Sequence, residues 1–459
     1  MKITRVVPIH LEETPPDLQE QVIRENGNED DPVVAEMDES KLIAEKRYEG
    51  YKDILYNKKI DSIPWYVASN AFGGVVLRIL SSSIIAFVPM QDVIKHRDYE
   101  GYGRDIALIK LPSAPIYIAN LVLTCSYWMN TKCISTMKIF VKTFFSLLIC
   151  LVVPNAIGER IFTKILNYNL PVPLHSNVSS IYLTPLAQLV IWYQFPKEWR
   201  KNKTFIRRFR FFIAAHWTQS LIFSEYTILG KLFIIIPEKY QWILAAVLPI
   251  LREINTLVLP QLAYQSAGAN DTSVTIAVAH FVNTRHVIFL SVTLGTAATD
   301  LSSWVILGSD YVYNTYLAIK IVWIKNGRLA SEKNNREMFH LLYSLTINEL
   351  VEVVVPFTFM ISFLCAYYGP NGELIGNVLS NHFHYTPVSD IDRFVEKMMV
   401  FFMVDFTSVI MVAGLLWIFC KISLFRAYVQ MQKEFWLVIS MTTATSMYIV
   451  SLLMIFSIY

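Results

Sequence analysis

From about residue 66 to the end, the chain alternates long apolar runs with short polar breaks. The runs cover roughly 66–89, 111–129, 139–157, 179–195, 211–236, 241–266, 273–298, 302–323, 340–367, 394–420 and 435–458. Most approach or exceed the ~20 residues a helix needs to cross bilayer hydrocarbon, and all are far longer than barrel strands. Hydrocarbon offers the backbone no water to bond, so only helices or closed barrels span it. The expected fold is all-α, a polytopic transmembrane bundle of about eleven helices, with ten or twelve also compatible. It occupies 65–459, behind a polar tail over 1–64 in which Glu12, Glu13, Pro15 and Pro16 leave little to bury. No apolar core lies between Met1 and Ile60, so no cleavable signal peptide is expected and the first crossing acts as its own insertion signal.

Several runs carry ionisable groups near their centres: Arg78, Arg252 and Arg285, and Glu225, Glu253, Glu349, Glu352 and Asp405. An arginine at mid-membrane costs roughly 2.5–3.5 kcal/mol on insertion scales and persists only by facing protein or water with a partner. Three cations cannot neutralise five carboxyls. The surplus implies protons, a bound cation or a polar cavity at that depth.

Helical spacing groups these residues further. Arg252 and Asn255 share a face between Pro249 and Pro260, and Glu349 and Glu352 share one beside Asn348 and ahead of Pro356. His280, Asn283 and His286 form a stripe next to Arg285, and Thr293, Thr296 and Thr299 continue toward Asp300. The expected substrate-binding residues are Arg252, Asn255, Asn283 and Arg285. Proton or ion coupling is assigned to Glu253, Glu349, Glu352 and Asp405, with Arg78, His280, His286 and Asp300 as gating residues or polar lining. The competing reading is that buried Arg and Glu are static glue between helices.

Basic residues set the orientation, because short cytoplasmic loops are enriched in Lys and Arg. The connection holding Lys197, Arg200, Lys201, Lys203, Arg207, Arg208 and Arg210 is the densest such cluster, and Lys132 with Lys138, Lys325 with Arg328, and Lys421 with Arg426 fall on the same side. The N-terminus is then expected in the cytoplasm. The opposite face holds a loop with the glycosylation acceptor pattern Asn177-Val178-Ser179; those at Asn202 and Asn270 are expected to go unused.

Composition agrees: 54% of the 459 residues are hydrophobic and the formal charge is only +3, which suggests no nucleic-acid partner. The five cysteines fit neither a disulfide framework nor a zinc site. His382, His384, Asp390 and Asp392 are read as a solvated loop, so neither a metal nor a cofactor is expected. Gly101-Tyr102-Gly103 lacks the strand and helix a nucleotide site requires, and no GxSxG, HExxH or phosphate-binding loop occurs. Partners are thus the lipid bilayer and a small solute or ion. The leading expectation is a proton- or cation-coupled secondary transporter of a small polar or anionic solute, because broken helices meet charged groups at one depth. Alternatives are a lipid-modifying membrane enzyme using His280 or His286, and a channel or receptor without turnover.

Overall fold

The computed structural model describes residues 175–267, 272–296, 300–326, 332–370 and 389–428, the helical stretch Val141–Cys150 and scattered positions between 76 and 157. Expectations for the tail over 1–64, the first and last apolar runs, Arg78 and the His382–His384 loop lie outside the described residues. Every element from residue 175 on is helical. In chain order these are α1 (His175–Gln194), α2 (Lys197–Lys201), α3 (Lys203–Ile235), α4 (Gln241–Ala267), α5 (Thr272–Thr296), α6 (Asp300–Asn326), α7 (Glu332–Tyr368) and α8 (Ser389–Leu415). A 3-10 turn (Glu238–Tyr240) precedes α4, and a π turn (Leu416–Cys420) ends α8.

Three stretches, Glu238–Ala267, Glu337–Cys365 and Ile391–Cys420, are long and apolar enough to cross a membrane. Eleven crossings are expected from the whole chain; among the described residues these three qualify. In two of them, on α4 and α8, the exposure pattern is inverted relative to a helix in water, while the span on α7 is mostly buried. On α4 the buried positions Ala245, Leu248, Arg252, Asn255, Leu259 and Ala263 recur with helical period, while Ile243, Val247, Ile250, Ile254, Leu257 and Val258 face outward. The same holds for α8, which buries Phe401, Asp405, Ser408 and Val412 and exposes Met399, Val400, Met403, Phe406 and Ile410. A continuous apolar exterior around a polar seam is unfavourable in water and suited to lipid.

α5 and α7 form the central pair. Along α5, Phe281 to Leu290 are all buried, which explains why it has no polar outer stripe. α3 and α4 pack against α5, α6 and α8 against α7, and α4 also packs against α6. Pro249 and Pro260 lie inside α4 and Pro356 inside α7, each removing one backbone hydrogen bond from its helix.

The helix ends correct two expectations. The basic connection is largely helical: it forms α2 and the opening turns of α3, so Arg207, Arg208 and Arg210 stand on a helix. Asn202 caps α3, its side-chain oxygen accepting from the backbone of Thr204 (2.9 Å) and Phe205 (3.2 Å). Asn177 lies in the first turn of α1, not in a loop. Arg208 is buried and donates to the carbonyls of Ser266 (2.8 Å) and Ala267 (2.7 Å) at the end of α4, and to that of Met129. It thereby satisfies orphan C-terminal carbonyls with a positive charge. After the π turn, Lys421 takes a left-handed conformation (φ 58°) and caps the helix, its N–H bonding back to the carbonyls of Leu416 and Trp417.

Candidate functional site

The site is built around Arg252, which is 1% exposed, the largest side chain so completely buried among the described residues. Its three nitrogens go to three other helices. Nε donates to Asn283 on α5 at 3.2 Å, one terminal nitrogen to Asp310 on α6, and the other to Glu352 on α7 at 3.1 Å. The guanidinium also lies 4.4 Å from the centre of the Tyr313 ring. One planar fork from α4 therefore fastens α5, α6 and α7 together, which lysine's single ammonium could not do.

The polar array continues from Glu352. Asn314 on α6 donates to the other Glu352 oxygen, and Asn348 on α7 donates to the Asn314 carbonyl oxygen. One turn earlier on the same face of α7, Glu349 accepts from Ser408 on α8 at 3.3 Å. Asp405, one turn before Ser408, brings a third buried carboxyl toward Asp310 and Glu352: one oxygen from each of the three lies within 4.8 Å of the others. His286 closes the side toward α3, with Nε2 at 3.8 Å from Asp310 and Nδ1 at 3.3 Å from the Tyr226 hydroxyl.

Four carboxyls thus surround one guanidinium, all at 4% exposure or less. Asp310 Oδ2, Glu349 Oε2, Asp405 Oδ2 and the Asn348 side-chain oxygen are buried without a hydrogen-bond donor. Such an acceptor normally costs about 1–3 kcal/mol, so the array is short of positive charge and of donors together.

No protein family matches this chain, and neither does any curated protein or solved structure.

Of the residues singled out from sequence, Arg252, Asn283, His286, Glu349, Glu352 and Asp405 come together here. Glu253 does not: it turns to the flank of α4 and accepts from the Tyr313 hydroxyl at 2.9 Å. Asn255 is buried and donates to Glu225, half-buried on α3, at 3.2 Å. Arg285 is buried against Phe281 of its own helix, 5.5 Å from the ring centre, and His280 is buried on the same helix. The Thr293 hydroxyl donates back to the carbonyls of Phe289 and Leu290, each at 3.0 Å, instead of facing a path toward Asp300. Asp300 is the first residue of α6.

Asp310 and Asn314 escaped the sequence reading, although Asp310 sits near the middle of the run 302–323 and deserved the weight given to Glu349. Their i, i+4 spacing was the available signal. A groove of about 500 Å³ is lined by Tyr311, Val404 and Thr407, the chain neighbours of Asp310, Asp405 and Ser408, together with Glu396, Met399, Val400 and Met403.

Proposed function

We propose that this protein is a secondary membrane carrier in which the carboxyl cluster takes up a proton or small cation and Arg252 with Asn283 holds a small polar or anionic solute. The observation that carries the proposal is the ratio of four buried carboxyls to one guanidinium. Arg252 is engaged by Asp310 and Glu352. A positive charge delivered to those acids weakens their hold and frees the guanidinium for a solute anion; by linkage, the solute strengthens cation uptake equally. The helices run unbroken through Pro249, Pro260 and Pro356, and the backbone hydrogen bonds missing there give α4 and α7 places to bend around the site.

The proposed orientation puts α2 and the start of α3 on the cytoplasmic side. Asn177 then stands at the other end of the 20-residue α1, about 30 Å away, one hydrocarbon thickness.

The test is uptake by proteoliposomes of the purified chain, screened over small anionic and zwitterionic solutes under an imposed proton or cation gradient. Gradient-driven uptake is expected, and Glu349→Gln should uncouple it. A screen in which no gradient moves any solute would remove the carrier from consideration. A membrane-embedded enzyme is the second reading, favoured by His286 standing between Tyr226 and Asp310 as an acid–base relay. Lipid turnover lost in His286→Ala, with no solute uptake in the wild type, would establish that reading instead.

A further inference from the structure

We infer that Asp310, Glu352 and Asp405 form a binding site for one hard divalent cation of the size of Ca2+ or Mn2+. The inference rests on the same cluster as the carrier proposal and names its ion, yet the site can be tested without transport.

The donor set is all oxygen, which selects hard cations over thiolate-seeking ones. The three carboxylates come from α6, α7 and α8 and place one oxygen each within 4.8 Å of the others. Three oxygens no more than 4.8 Å apart leave a central point at most about 2.8 Å from each, a few tenths of an ångström beyond the ~2.3–2.6 Å that Ca2+ takes to oxygen. Mg2+, at about 2.0–2.1 Å, would require them to close to about 4 Å. Closing on Ca2+ therefore needs the smaller movement of the three carboxylates.

Two further observations point to a cation. Asp310 and Asp405 each keep one buried oxygen with no donor, and Glu349 and Asn348 beside them on α7 keep another apiece. These are acceptors for which the described residues supply no hydrogen. Moreover, the Arg252 interaction divides Asp310 in two: Oδ1 takes the guanidinium, while Oδ2 stays unpartnered. Asp310 can thus face Arg252 and a metal together. Four carboxyls against one guanidinium leave a surplus that a divalent ion reduces more than Na+ would. Because the ligands come from three helices, occupancy would tie α8 to the α6–α7 pair, where the Ser408–Glu349 hydrogen bond now joins α8 to α7.

The experiment uses the purified full chain in nanodiscs of neutral lipid, stripped with EDTA and titrated with MnCl2, free Mn2+ being read by electron paramagnetic resonance. One saturable Mn2+ per chain is expected, displaced by Ca2+ and not by Na+, with a rise in melting temperature on adding either divalent ion. Asp405→Asn, which leaves the Arg252 ion pairs in place, should weaken Mn2+ binding by roughly 10–100-fold or more. Glu253→Gln, outside the cluster, should leave it unchanged. Absence of saturable Mn2+ binding in the wild type, displacement by Na+ alone, or unchanged affinity in Asp405→Asn overturns the inference. Should Asp405→Asn fail to fold, the wild-type titration still decides, since absence of saturable Mn2+ binding there refutes the inference outright. Mn2+ binding without any solute uptake would sink the carrier and keep the site; uptake indifferent to EDTA in a chain that binds no Mn2+ would do the reverse.

Discussion

Replacing Arg252 by methionine keeps most of its volume and removes the only cation paired with Asp310 and Glu352 among the described residues. At 3.1 Å from Glu352 and an effective dielectric of about 20, the Coulomb attraction is roughly 5 kcal/mol. Desolvation of both groups offsets much of that, so the intact pair adds little net stability. Removing one partner is different, because the charge left behind keeps its desolvation cost: about 3–5 kcal/mol for a buried pair. Here two carboxyls lose their partner, and the Asn283 oxygen loses its donor as well. We expect Arg252→Met to lower unfolding free energy by about 3–5 kcal/mol, measured by denaturant titration in mixed micelles. The triple variant Arg252→Met, Asp310→Asn, Glu352→Gln should recover most of this loss, since it retains shape without stranded charge. Arg252→Lys should fall between, one ammonium replacing a fork that reaches three helices. A loss under about 1 kcal/mol in Arg252→Met, or no recovery in the triple variant, would refute the view of Arg252 as counter-ion to these acids.

Three further predictions concern the frame around the site. Arg208→Met strips the α4 carbonyls of Ser266 and Ala267 of their donor and should cost roughly 2–4 kcal/mol, with faster amide exchange confined to the end of α4. Gly295→Ala would put a methyl 2.9 Å from the Phe394 ring, which is itself held 4.2 Å from Phe363; a loss of about 1–3 kcal/mol is expected. Gly308→Ala on α6 meets nothing within 4 Å and should instead raise the melting temperature, helix propensity contributing about 0.5–1 kcal/mol.

Periodicity along single helices was enough to place Arg252 with Asn255 and Glu349 with Glu352 on shared buried faces, and to mark Asp405 as an interior acid. It also made the all-helical class legible, and among the described residues three of the helices are long and apolar enough to cross a membrane. Helix starts were less legible: α3 begins at Lys203 because Asn202 caps it, whereas hydropathy shows only where apolar residues take over, several positions later. Spacing likewise could not tell that Glu253, next to Arg252, turns to Tyr313 and away from the cluster. What the tertiary structure alone decided is which faces meet. The contacts Arg252–Asp310 and Arg252–Glu352 join positions 58 and 100 residues apart, and they depend on how each helix is rotated and how deeply it sits against its neighbours. That rotation comes from side-chain packing across the α5–α7 centre, a property of the assembled bundle, whereas one helix's own pattern states only that a polar face must find company.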